Sequence, residues 1–262
     1  MNIDPSPEMA SFVPEEGVHK PKVIAIPARS SSARVLVIDD EPEIWRAVRA
    51  GLTSAGFAVE WAPTGAEGID LAARWHPDVI ILDLTLPDLD GIEVCRRLRS
   101  WSAIPIIVLS VRGSEGDKVT ALELGADDFL TKPFSMAELI ARVRVALRHI
   151  ARSSGSSDNE ARFQTGGLVI DFERRQVSVE GREIHLTPTE YDLLKYLSIN
   201  AGRVLTHRAI LRAVWGSAYE NEVHYLRVFF NQLRRKIEPN PGRPRYLLTE
   251  LGIGYRLRSD ER

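Results

Sequence analysis

The stretch Val79–Gly91, VIILDLTLPDLDG, constrains the fold more than any other part of the chain. Four apolar residues, Val79 to Leu82, run directly into Asp83, and a loop rich in Pro, Asp and Gly follows. An apolar run of this length, bounded by turn signals, reads as a strand buried on both faces. In an open parallel sheet, chemistry sits just beyond the carboxyl ends of the strands, which is where Asp83 falls. Taken alone, Asp83 serves equally well as a cap on the next turn.

The same arrangement recurs along the chain. Arg34–Ile38 reads as a buried strand ending at Asp39-Asp40-Glu41-Pro42, and helical spacing covers Ile44–Gly56. Strand Phe57–Ala62 and helix Gly65–Trp75 precede the Val79 strand; a helix over Gly91–Ser100 follows it. Then come strand Ile104–Leu109, helix Glu115–Leu124, strand Ala126–Leu130 and helix Met136–Arg152. Strands alternating with helices five times specify an α/β domain, a doubly wound parallel five-stranded sheet. Right-handed crossovers put the carboxyl ends of all five strands on one edge. Asp39, Asp40, Asp83, Ser110 and Lys132 therefore converge on one pocket. Three carboxylates so close repel one another and call for a divalent cation. Hard oxygen ligands with room for waters fit Mg²⁺. The cation, Ser110 and Lys132 would surround a phosphoryl group carried on Asp83. Each residue singly suits capping or ion pairing; five at four strand ends do not.

The motifs VLVIDDEP, ILDLTLPDLDG, VLS and GADDFLTKPF together resemble the receiver domain of two-component response regulators, over Arg34–Arg152. The resemblance implies a flavodoxin-like (CheY-like) fold with Asp83 as phosphoacceptor and a sensor histidine kinase as donor. It assigns Asp39, Asp40, Asp83 and the backbone carbonyl of Thr85 to Mg²⁺ (or Mn²⁺), and phosphoryl contact to Ser110 and Lys132. Phe129 becomes an aromatic that swings inward when Ser110 moves, although periodicity alone makes it a core residue. A cis Lys132–Pro133 bond is implied. So is a homodimer formed on phosphorylation through ion pairs of Lys118 with Glu138 and of Asp127 or Asp128 with Arg142.

Beyond the polar stretch RSSGSSDNEA the composition changes. Residues 1–159 carry 17 Lys+Arg against 23 Asp+Glu, while residues 160–262 carry 17 against 13. An acidic half joined to a basic half points to two jobs, with nucleic acid a candidate partner of the second. Short alternating runs through Leu168–Leu186 predict an antiparallel sheet. Thr187 and Thr206 open two helices. In the third helix, Glu222–Glu238, Val223, Leu226, Phe230, Leu233 and Ile237 must face the core. His224, Arg227, Val228, Asn231, Arg234 and Arg235 are left outside, a set suited to phosphates and base edges in a major groove. A hairpin of Tyr246–Thr249 with Gly254–Leu257, predicted to have a small, mobile tip, puts Arg256, Arg243 and Arg245 within reach of an adjacent backbone. HLTPTEYDLL, RVLTHRAILRAVWG, HYLRVFFNQLRRKIE and TELGIGYRL resemble the α+β winged-helix effector domain of the OmpR/PhoB class, most like its potassium-responsive KdpE branch. That resemblance implies double-stranded promoter DNA and RNA polymerase as partners, and promoters of a high-affinity K⁺ uptake operon as targets.

The expected organisation is a disordered arm over 1–32, a receiver over 33–152, a linker over 153–161 and a DNA-binding domain over 162–260. No apolar run approaches the roughly 20 residues that span a bilayer, no signal peptide is evident, and one cysteine allows no internal disulfide. These features predict a cytoplasmic protein. A hydrolase built around Asp83 competes, but position 85, where such enzymes place a second acid, holds Thr. A constitutive DNA-binding protein with a vestigial receiver is opposed by the complete acidic, Ser and Lys set.

Overall fold

The computed structural model describes Met1 and residues 32–111, 115–151 and 162–259. All but the ends of the arm expected over 1–32, and the linker expected over 153–161, lie outside the described residues. The first half runs β1 (Arg34–Ile38), α1 (Pro42–Ser54), β2 (Ala58–Ala62), α2 (Gly65–Trp75), β3 (Val79–Asp83) and α3 (Gly91–Arg99). It continues with β4 (Ile106–Ser110), α4 (Glu115–Glu123), β5 (Asp128–Thr131) and α5 (Met136–Ala151). The strands pair in parallel in the order β2-β1-β3-β4-β5. This is the doubly wound sheet expected.

The alternation of the strands explains why helices cover both faces. Val35, Val37, Val79, Ile81, Ile107 and Leu109 pack with Val48 and Leu52 of α1 and Leu139 and Val143 of α5. Leu36, Ile38, Ile80, Leu82, Ile106 and Val108 pack on the other face with Ala72, Val94, Leu98 and Leu122. Each such buried aliphatic side chain contributes roughly 1.5–3 kcal/mol. Two strands start later than the apolar runs suggest. Pro105 has no N–H for the ladder, so β4 opens at Ile106, and the Ala126 N–H turns back to the Ala121 carbonyl (3.1 Å) to close the exit of α4.

The second half opens with a four-stranded antiparallel sheet of β6 (Arg162–Thr165), β7 (Leu168–Asp171), β8 (Gln176–Val179) and β9 (Arg182–Ile184). Helix α6 (Pro188–Ile199) starts in a full capping box of Thr187 and Glu190, which satisfies two otherwise orphaned N–H groups. Then follow β10 (Leu205–Thr206), α7 (His207–Val214), a 3₁₀ turn at Ser217–Tyr219, and α8 (Val223–Ile237). The chain closes with β11 (Leu247–Glu250) and β12 (Gly254–Leu257), and β12 lies between β10 and β11. Strands β6 and β10 do not announce themselves in the sequence. The second is two residues long and exists because Gly254 lets the backbones meet: a Cβ there would lie 1.9 Å from the Leu205 carbonyl oxygen.

The apolar core does not stop between the halves. Leu122, Ala126 and Phe129 belong to the same buried cluster as Tyr225 and Phe229 of α8. Among the described residues no helix is long and apolar enough to cross a membrane.

Candidate functional site

At the carboxyl edge of the first sheet, Asp39 follows β1, Asp83 ends β3, Ser110 ends β4 and Lys132 follows β5. All four are buried, Asp39 at 0% and Asp83 at 4% exposure. The Lys132 Nζ donates to Asp39 Oδ2 and to Glu41 Oε1, each at 2.9 Å, and to Asp83 Oδ2 at 2.5 Å. Three carboxylates against one ammonium leave a formal surplus of two negative charges. Burial pushes the Asp39 carboxyl up from its ordinary pKa, and the Lys132 contact only partly offsets this. Burial would lower the Lys132 pKa, but its three carboxylate partners hold it above the usual lysine range.

The loop after β3 is braced to hold Asp83 in place. The Thr85 N–H donates to Asp83 Oδ1 at 2.9 Å, and Asp88 accepts from the Gly65 and Ala66 N–H groups at the start of α2. Gly91 packs so tightly on this loop that a Cβ would lie 2.4 Å from the Asp83 carbonyl oxygen. Across the pocket mouth the Trp61 indole N–H donates to the Asp39 carbonyl (2.7 Å), and Trp61 stacks on Trp45 at 5.4 Å. The Lys132–Pro133 bond is cis, and Phe129 is buried at 2% exposure.

The carboxylates gathered within 4.8 Å of one another, as a divalent cation requires, are Asp39, Glu41 and Asp83. Asp40 is exposed and lies outside that group. Glu41 was not singled out from the sequence; its signal was simply a third acid in the DDE run, one residue beyond the pair expected to matter.

On α8 the expected outward face is only partly outward. Arg227, Asn231 and Arg235 are exposed. Val228 is buried at 2% exposure, so it packs rather than presenting an apolar contact to a groove. Arg234 is turned inward, donating to the Leu247 carbonyl (2.6 Å) and the Thr249 hydroxyl (2.8 Å), so it ties the hairpin to the helix. His224 lies against Glu222 (3.3 Å) and edge-on to Tyr225. In the hairpin, Arg243 and Arg245 are exposed, while Arg256 pairs with Glu250 at 2.7 Å. The tip, expected to be small, exposes Leu251 and Ile253.

Of the residues expected at a dimer interface, Asp127, Asp128, Glu138 and Arg142 have partners within this one chain. Asp127 accepts from Arg99 (2.5 Å) and from the Ile106 N–H (3.0 Å), which makes it a brace inside the first half. Arg142 contacts Glu138 one turn away on α5 (2.9 Å) and Asp128 (2.7 Å). Lys118 is half-buried on α4. Asp128 also meets Tyr219 and Tyr225 of the second half, two residues the sequence reading passed over.

Comparison with known proteins agrees with both halves. Residues 35–144 match the response regulator receiver domain, and residues 181–257 match the transcriptional regulatory protein, C terminal family. The transcriptional regulatory protein KdpE of Mycobacterium tuberculosis is 49% identical over 223 residues, covering 85% of this chain and 97% of that protein. The KDP operon transcriptional regulatory protein KdpE of Escherichia coli is 48% identical over 222 residues, with the same 85% and 97% coverage. A solved structure of a RitR mutant superposes with a TM-score of 0.71 at 23% identity, over 87% of this chain and all of that one, a likeness of fold. The chain thus belongs to the OmpR/PhoB class of two-component response regulators, a receiver joined to a winged-helix DNA-binding domain, on the KdpE-like branch.

Proposed function

We propose that Asp83 accepts the phosphoryl group and that the chain is a promoter-binding switch set by it. The observation that carries this reading is the under-compensated acid pocket, in which, among the described residues, one ammonium, that of Lys132, meets Asp39, Glu41 and Asp83. An oxygen of Asp83 attacks the phosphorus of a kinase phosphohistidine; the P–N bond breaks and its electron pair returns to the imidazole. Lys132 and Ser110 then contact the phosphoryl oxygens. A divalent cation, Mg²⁺ or Mn²⁺, would be held by Asp39, Asp83 and the Thr85 carbonyl, with Asp40 or Glu41 completing the set, and would supply charge neutralisation of the transferring group. The surplus of two negative charges fits such an ion.

The domain limits that go with this reading are 33–152 and 162–260. Phosphorylation would favour a receiver homodimer, placing two effector domains on half-sites roughly one helical turn apart. Arg227 and Asn231 would read base edges, while Arg235, Arg243, Arg245 and Arg256 would meet phosphates. A sensor histidine kinase, promoter DNA and RNA polymerase are the partners, in the cytoplasm. The likeness to the potassium-responsive branch supports promoters of a high-affinity K⁺ uptake operon as the targets.

The test is incubation of the full chain with acetyl phosphate and Mg²⁺, read by intact mass and peptide mapping. One phosphoryl group on Asp83, absent from Asp83→Asn, is expected; none, or one elsewhere, overturns the reading. Footprinting on the protein's own genomic DNA extends it. Arg227→Ala and Asn231→Ala should lose specific protection, whereas Arg235→Ala should weaken binding across sequences and lower the salt slope by about one.

A further inference from the structure

The acidic turn between β1 and α1 is held at both ends by groups outside it. The Asp39 N–H donates to the Ala62 carbonyl at the end of β2 (3.2 Å), and the Asp39 carbonyl accepts the Trp61 indole N–H (2.7 Å). Both backbone groups of Asp39 are thus tied to the last two residues of the neighbouring strand. At the other end stands Pro42, the first residue of α1. Its ring fixes its own φ at about −65° and drives the residue before it into extended backbone. Glu41 is indeed extended, with φ −84° and ψ 108°, and its side chain makes no capping bond to the helix. Its N–H instead turns back to Asp39 Oδ1 at 2.9 Å.

We propose that Trp61 is a positioning residue for the cation site: by holding the Asp39 carbonyl it makes Glu41, not Asp40, the acid that joins Asp39 and Asp83. This inference rests on the reading of that pocket as a divalent-cation site given above. Each residue brings two soft dihedral angles to a turn. With Asp39 held by β2 and Glu41 held by Pro42, Asp40 is the residue left to close the path. Its side chain is exposed, while Glu41 reaches the Lys132 Nζ at 2.9 Å.

The indole is itself held in place. Trp61 stacks on Trp45 of α1 with the ring planes 9° apart, and the Arg49 guanidinium lies over the Trp45 ring, 5.6 Å from its centroid. The Trp45 N–H donates to the Glu41 carbonyl at 3.0 Å. A closed circuit therefore runs from β2 through the two rings into α1 and back to the acidic turn. Take away the indole N–H, and the Asp39 carbonyl at the pocket mouth is left to water. The turn is then free to present either acid to the ion.

The experiment titrates Mg²⁺ into the full chain by calorimetry, for the wild type and for Trp61→Phe, each alone and combined with Glu41→Gln or Asp40→Asn. Phenylalanine keeps a ring to stack on Trp45 and loses the N–H. One net hydrogen bond corresponds to about fivefold in an equilibrium constant, so Trp61→Phe should weaken Mg²⁺ binding about fivefold. Glu41→Gln should cost less affinity in the Trp61→Phe chain than in the wild type, and Asp40→Asn should cost more. A residue that merely stabilises the fold would leave these effects additive. Should Trp61→Phe not fold, the wild type labelled on tryptophan gives a second readout by NMR. The Trp61 indole N–H, assigned through its contact with Trp45, should exchange slowly with solvent and shift on addition of Mg²⁺. Unchanged affinity and additive effects in a folded variant, or an indole N–H that neither resists exchange nor responds to Mg²⁺, overturn the inference and leave the cation site standing. A wild type that takes up no Mg²⁺ overturns the reading of the pocket, and the inference with it.

Discussion

Two ionic clusters, each built on a buried aspartate and one cation, sit at opposite ends of β5, and they differ in how their charge is balanced. At the carboxyl end, Lys132 faces three carboxylates, and one of them, Glu41, has a side chain 50% exposed. At the amino end, Arg142 faces the buried Asp128 and the exposed Glu138, a formal surplus of one negative charge, and two tyrosine hydroxyls donate to the Asp128 carboxylate. Burial and the Asp128 charge push both tyrosine hydroxyls well above the ordinary range, so they stay protonated donors. An unbalanced cluster open to solvent on one side has the charge to accept a further cation. A saturated one holds two pieces of chain together.

Substitutions can break or sharpen that contrast. Lys132→Met strips the ammonium from the buried carboxylates of Asp39 and Asp83, an uncompensated burial that costs about 3 kcal/mol. Urea unfolding in chelator should show that loss, and millimolar Mg²⁺ should restore part of it; no Mg²⁺ effect would break the contrast. Asp128→Asn removes the acceptor charge facing Arg142 and should cost about 2 kcal/mol. Here Mg²⁺ should restore nothing, because the Asp128 carboxylate is already hydrogen-bonded by Arg142, Tyr219, Tyr225 and the Phe129 N–H. The smallest effect is expected for Glu41→Gln. Its stability change should stay within about 0.5 kcal/mol, as for a solvated surface position, while the Mg²⁺ needed for half-maximal phosphorylation by acetyl phosphate rises a few-fold. Equal Mg²⁺ requirements would return the ligand role to Asp40.

The contrast also separates what the sequence disclosed from what it withheld. Asp39, Asp83, Ser110 and Lys132 were legible because each ends an apolar run, and parallel topology carries strand ends to one edge. Whether Asp40 or Glu41 turns inward was not legible, since neighbouring acids in a turn differ only by backbone direction. The contact of Tyr219 and Tyr225 with Asp128 was hidden for another reason. Tyr225 and Phe229 form a second apolar stripe on α8, flanking the core stripe of Leu226, Phe230 and Leu233. A helix apolar on more than one side is covered on more than one side, but periodicity does not say by what. Val228 and Arg234 were misread for the same cause: outward on an isolated helix is not outward once another surface, or a hairpin, lies against it.

Strand β5 pairs with β4 alone. Among the described residues its other margin has no neighbouring strand, so a displacement along its axis would strain one ladder rather than two. Four residues span only about 13 Å of pleated chain, too short to absorb such a shift by bending. A pull on Lys132 is therefore expected to reach Asp128 as a translation of the whole segment, as along a push-rod.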